Sequence, residues 1–237
     1  ILQNNKIPIT LQHKTNIPAL LVRAGLGTVG ILCNFYAIGH LVLADASMLN
    51  KMSPFFVIIF SFIFLKERLT FFQGAAVFTA FIGSLFIIKP SFNMEMFPAF
   101  LGLVGGMCAG AAYTAVRYLG NHGEKNPFIV AFFSAFSCLT TLPFLIFDYH
   151  PMTGYQLLSL MGAGLAAAGG QFSITAAYTK APAKEISVYD YSQIIFATIL
   201  GFFLFGDVPD IYSVIGYVII IAMAVLMFFS NTKTQKD

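Results

Sequence analysis

The sequence predicts an all-α, polytopic transmembrane helix bundle built as an inverted-topology repeat. Three observations carry that prediction: a large apolar excess, eight apolar runs of spanning length, and an ungapped internal match at a shift of 140 residues. Of 237 residues, 58% are hydrophobic, 10% are charged and 27 are Phe, and the mean hydropathy is +0.81. So little polar surface cannot cover a water-soluble globule, and the bilayer must be the solvent. A net charge of +3, from 13 Lys and Arg against 10 Asp and Glu, supplies no basic field for nucleic acid. Cys33, Cys108 and Cys138 stand far apart in apolar runs, which argues against a zinc site or disulfide framework and for small packing residues.

The apolar runs are 19–43, 46–65, 72–88, 97–117, 127–147, 156–178, 183–205 and 211–229. At about 1.5 Å per residue they match a hydrocarbon layer about 30 Å thick. Between them fall charge, Gly and Pro clusters of the loop type, beginning with Ala44-Asp45 and Lys66-Glu67-Arg68. The runs are too long and too continuous for barrel strands, so helices are the spanning form. Counted on alternate sides, eleven of the thirteen basic residues share the side of the N-terminal segment, and only Lys51 and Lys89 lie opposite. That split predicts that both visible termini are cytoplasmic.

The 140-residue shift sets Gly30 on Gly170, Ala37 on Ala177, Asp45 on Glu185, Ser47 on Ser187, Asn50 on Asp190, Phe56 on Phe196, Phe62 on Phe202 and Glu67 on Asp207. Spans within 19–88 thus match those within 156–229. The shift covers five spans, and an odd number inverts orientation, as in the inverted repeats of secondary transporters. Shifted back by 140, the spans at 97–117 and 127–147 map onto positions before residue 8, and the chain has no initiating Met. We therefore expect ten helices in the complete protein, of which eight are visible. The first repeat is 1–96, truncated at its N-terminus to three helices; the second is 97–237, with five.

Asn34-Phe35-Tyr36-Ala37-Ile38, Ala46-Ser47-Met48-Leu49, Ser53-Pro54-Phe55 and Leu65-Lys66-Glu67-Arg68-Leu69-Thr70 resemble the first-half signature of EamA-type members of the drug/metabolite transporter superfamily. Ala176-Ala177-Tyr178, Ser192-Gln193 and Leu204-Phe205-Gly206-Asp207 are similar to its second half. Gly206-Asp207-Val208-Pro209 departs from the usual Gly-Glu-x-x-Thr ending. The resemblance implies a ten-helix carrier of small metabolites, in a family whose substrates include amino acids, nucleobases, sugars and drugs.

Polar residues inside the spans are expensive, roughly 2.5 to 3.5 kcal/mol for a charge at a helix centre, and each needs an account. Asn50 and Ser53 lie three apart on one face of the second span, and their repeat mates Asp190 and Gln193 lie three apart on the seventh. They line a substrate cavity or else bond helix to helix, at about 0.6 kcal/mol per bond. Asp190 lies about seven residues inside its span, roughly 10 Å deep, and wants a partner, water or a proton. Lys51 sits near the outer surface and is expected to snorkel outward or to serve as an outer polar station. Gln171, Thr175 and Tyr178 recur at helical spacing, as do Tyr113 and Arg117; these line the same path, or Tyr178 and Arg117 anchor at the interface. Asn34 stands mid-span in the first helix. Gly102, Gly106 and Gly110, with Gly162, Gly169 and Gly170, read as close helix packing.

No GxxxxGK[ST], HExxH, GxSxG or paired acidic metal motif occurs. We expect no enzyme and no cofactor. The expected function is a secondary transporter in a bacterial cytoplasmic membrane, moving a small metabolite or drug-like solute by alternating access, with proton coupling through Asp190. Its expected partners are the small-molecule substrate, the lipid bilayer, protons and a second copy in a homodimer, and no nucleic acid. The alternatives are a passive channel or pore and a non-transporting membrane scaffold. The orientation is testable with single cysteines at Asn93 and Thr232 in a background without the three native ones. In intact cells an impermeant maleimide should label the first and spare the second; the reverse pattern refutes the assignment.

Overall fold

The computed structural model describes residues 11–66, 70–88, 96–147, 149–180, 192–206 and 208–234. A 3-10 turn at Lys14–Asn16 leads into α1 (Ile17–Ile38). There follow α2 (Leu43–Asn50), α3 (Ser53–Leu65), α4 (Phe71–Ile88), α5 (Met96–Asn121), α6 (Asn126–Phe147), α7 (Gly154–Lys180), α8 (Ser192–Phe205) and α9 (Ile211–Thr234). Among the described residues there is no strand. The stretches 14–38, 45–65, 96–121, 126–147, 154–180 and 211–230 are long and apolar enough to cross a membrane; α4 and α8 are shorter apolar elements.

The second expected span departs from a single helix. It is two helices, α2 and α3, meeting at Lys51–Met52. Asp45, taken from the sequence as part of a loop, lies in the first turn of α2 and is buried.

Helix ends are closed by local chemistry. Lys66 takes a left-handed φ of 56° after α3 and its N–H bonds the Ser61 carbonyl, the αL manner of ending a helix. Thr153 and Gln156 form a reciprocal box before α7: the Thr153 N–H donates to Gln156 Oε1 at 2.9 Å, and the Gln156 N–H to Thr153 Oγ1 at 3.3 Å. Asp210 Oδ1 accepts the Ser213 N–H at 2.9 Å at the start of α9.

The chain forms two compact units. The first gathers the chain up to Thr28 with Ala115–Lys180. There Glu124, after α5, accepts the backbone N–H of Gln12 (3.1 Å) and of His13 (3.3 Å) and the Asn16 amide (3.1 Å) on one oxygen. These are the donors ahead of α1, so Glu124 caps that helix from a distant loop. Arg23, counted from sequence as a flanking cation, is instead buried in α1, with its guanidinium 4.0 Å from the centre of the Phe133 ring. Gly27 leaves room for both groups, since a Cβ there would strike Arg23 Nη1 and Phe133.

The second unit is Val29–Thr114 with the chain from Ala181 onward. Its core joins Met48, Leu49, Met52 and Phe55 to Ala76, Ala80, Ala99, Tyr217, Ile220 and Ala224. Helix α5 approaches its neighbours backbone to backbone. A Cβ on Gly105 would sit 3.2 Å from the Gly30 carbonyl, and one on Gly30 would sit 3.2 Å from the Gly105 carbonyl. The fourfold glycine series faces the broken span: a Cβ on Gly102 would meet Leu49 at 3.2 Å, and one on Gly106 would meet the Leu49 carbonyl at 2.6 Å. Close packing therefore holds for α5. It does not hold for α7, where a Cβ on Gly162, Gly169 or Gly170 meets nothing within 4 Å and residues 154–170 are exposed.

This contrast sets a stability test. Gly106→Ala forces backbone against backbone and should cost about 1 to 3 kcal/mol, lowering the unfolding midpoint of the protein in detergent. Gly170→Ala, in open space, should change it by less than about 0.5 kcal/mol. Equal midpoints for the two variants would contradict the packing described.

Candidate functional site

Pro54, in the first turn of α3, is the local cause of the break. It has no N–H for the carbonyl four residues back, that of Asn50, and its ring crowds the same group. Two bonds at the break shorten to the three-residue span, Met52 N–H to Leu49 O at 3.1 Å and Phe55 N–H to Met52 O at 3.0 Å, while the Lys51 N–H to Ser47 O and the Phe56 N–H to Met52 O keep the four-residue span on either side. Discontinuous spans of this kind present polar backbone where it is lodged in protein.

The break brings together Asn50, Lys51 and Ser53. Ser53 and Lys51 are buried, at 2% and 7% exposure, and Asn50 is half-buried. The expected outward snorkelling of Lys51 is thus corrected: its stem lies inside the unit, because the chain turns at this residue. Glycines of α5 admit the break. A Cβ on Gly106 would lie 3.2 Å from the Asn50 carbonyl, and one on Gly110 would lie 2.9 Å from the Ser53 carbonyl.

On its other side α5 meets α1 beside Asn34, whose backbone N is 3.4 Å from a Cβ on Gly105 and whose Oδ1 is buried without a hydrogen-bond partner. Tyr113, half-buried, follows Gly110 on α5. The structure thus places Asn34, Asn50, Lys51, Ser53 and Tyr113 along the glycine-bearing stretch of one helix. Helix α8 packs against α2, and Gln193 at its start is exposed. Asp190 lies outside the described residues.

Gln171 and Thr175 belong to the first unit and are bonded to each other, Nε2 to Oγ1 at 3.2 Å, with Thr175 fully buried. Tyr178 is 1% exposed, a core residue of that unit rather than an interfacial aromatic. Sequence reasoning overlooked one pair. The Tyr217 hydroxyl donates to Asp45 Oδ1 at 2.5 Å, with both residues buried. A lone carboxylate between two closely spaced apolar runs was the available signal, and it marks a loop as readily as a buried acid. Among the described residues no group of His, Cys, Asp and Glu could hold a metal ion.

A family model described as the EamA-like transporter family matches residues 2–89 and 96–229. The pseudopaline exporter CntI of Pseudomonas aeruginosa is 34% identical over 222 residues, covering 93% of this chain and 77% of that protein. The riboflavin transporter of Vibrio cholerae is 28% identical over 226 residues, covering 92% of this chain and 72% of that protein. A solved crystal structure shares the fold with a TM-score of 0.70 over 97% of this chain and 81% of the other, at 15% identity.

The origin of the break is testable. Pro54→Ala returns a donor to the Asn50 carbonyl, so amide exchange at residues 50–56 should slow by about tenfold, the weight of one recovered hydrogen bond of about 1.4 kcal/mol. Unchanged exchange would assign the break to packing alone.

Proposed function

The chain belongs to the EamA-like transporter family, and we propose that it carries a small polar metabolite by alternating access through a site at the α2–α3 break. The observation that supports this most is the break itself: a span interrupted where Asn50, Lys51 and Ser53 meet the glycines of α5. Asn50 and Ser53 bond the substrate, Lys51 offers a positive charge, and Asn34 and Tyr113 complete the lining of this half. Asp190 and Gln193, the repeat mates of Asn50 and Ser53, supply the polar groups of the second half. Asp190 is the carboxylate whose proton exchange drives the cycle, since Asn50 cannot titrate. The protein sits in a bacterial cytoplasmic membrane with both visible termini inside. Relatives named for pseudopaline and riboflavin make these two compounds the first substrates to try.

Counterflow in proteoliposomes tests the reading, with labelled riboflavin and pseudopaline as probes. Preloading with unlabelled compound should accelerate uptake of at least one of them. Asn50→Ala or Ser53→Ala should raise its KM about tenfold, the effect of one lost buried hydrogen bond, at unchanged membrane insertion. Uptake indifferent to preloading would mark a passive pore. Asp190→Asn should keep exchange while abolishing its pH dependence; an unaltered pH profile would remove Asp190 from the coupling role.

A further inference from the structure

Helix α2 is eight residues long, with a turn at 39–42 before it and the break at 51–52 after it. Such a segment has little helix stability of its own and takes its position from its contacts. Most of these are apolar: Met48 and Leu49 are buried in the same core as Ala76, Ala80, Ile220 and Ala224. Apolar packing is weakly directional and lets a short helix turn or slide. The hydrogen bond from Tyr217 to Asp45, between residues 172 apart in sequence, is directional. It grips α2 in its first turn, where the helix dipole favours an anion. Asn50 is five residues further on, about 7.5 Å along the axis.

Ordinary helix-to-helix bonding in a membrane uses neutral Ser, Thr, Asn or Gln. A carboxylate costs more to bury, and a charge-assisted bond is correspondingly stronger and shorter. The repeat adds a second, independent observation. Shifted by 140 residues, Asp45 falls on Glu185, whereas Tyr217 falls back on Val77, which has no hydroxyl. The carboxylate thus recurs in the other half and its phenol does not.

We propose that Asp45 and Tyr217 are positioning residues for transport, a one-sided latch that fixes the rotation and depth of α2 and thereby presents Asn50 and Lys51 to the substrate. The inference rests on the transporter reading above. The latch acts through the half-helix and touches no substrate. Position 77 carries no phenol, so this particular bond has no counterpart for Glu185 in the repeat.

The test compares Tyr217→Phe, Asp45→Ala and Asp45→Asn in the full chain by hydrogen exchange and by counterflow with the probe that the wild type carries. Tyr217→Phe and Asp45→Ala should each speed exchange across 43–52 by about tenfold or more, as loss of a hydrogen bond to a charged group requires. The Ala76–Ala80 side of the core should stay protected. KM should rise with a smaller change in Vmax. Asp45→Asn keeps an acceptor for the phenol but loses the charge, and should fall between wild type and Asp45→Ala on both readouts. The double variant Asp45→Ala with Tyr217→Phe should be no worse than either single one, because both remove the same bond. If Tyr217→Phe leaves exchange at 43–52 unchanged, or if the two single effects add, the latch is refuted. Should Tyr217→Phe fail to fold, Asp45→Asn decides: an effect on exchange and KM smaller than that of Asp45→Ala supports the latch, and a loss as large as that of Asp45→Ala overturns it. A wild type that shows no counterflow overturns the transporter reading and not the latch, which the exchange data judge separately.

Discussion

In hydrocarbon there is no water to take up a spare carbonyl, so a backbone group that loses its helical partner must be sheltered by protein. One such group, the Asn50 carbonyl, organises the second unit. Pro54 withholds its donor, the span parts into α2 and α3, and the exposed polar backbone has to be covered. Side chains on the facing helix would hold that cover away. Gly106 and Gly110 let the backbone of α5 come in directly, and Gly105 does the same against Gly30 on α1. The glycines therefore follow from the proline, and both are needed for a polar seam within an apolar bundle.

The first unit handles the same constraint at a helix end. The lead-in to α1 has no side-chain cap of its own at His13. Glu124 provides one from the loop after α5, accepting two backbone N–H groups and the Asn16 amide. Arg23, further along α1, keeps its charge against an aromatic face. Both groups are buried and both tie α1 to residues more than a hundred positions away. Polar contacts of long sequence range thus tie down α1, while residues 154–170 of α7 are exposed.

Much of the fold was legible because spanning length and hydropathy are properties of composition, and the bilayer enforces them. The failures came where one residue type serves two ends. Asp45 read as loop because charges mark loops, yet a phenol from α9 lets it stay buried. Lys51 read as snorkelling because a long stem normally reaches water, yet it is buried in this unit. The proline at 54 was visible, but a continuous apolar run on both sides concealed the break. The fourfold glycine series of α5 and the glycines of α7 were read alike, although only a facing helix decides whether a small residue is a contact or a gap. Of the candidate site, Asn50 and Ser53 are singled out by the repeat, which reports position; the bond from Tyr217 has no counterpart at Val77 and left no such trace.

The bond between Asp45 and Tyr217 also imposes an order on biogenesis. Its partners are 172 residues apart, and at synthesis rates of about 5–20 residues per second the carboxylate emerges about 10 to 30 seconds before the hydroxyl that receives it. Throughout that interval α2 has no polar anchor in α9. The bond is therefore among the last contacts of this unit that synthesis allows to form.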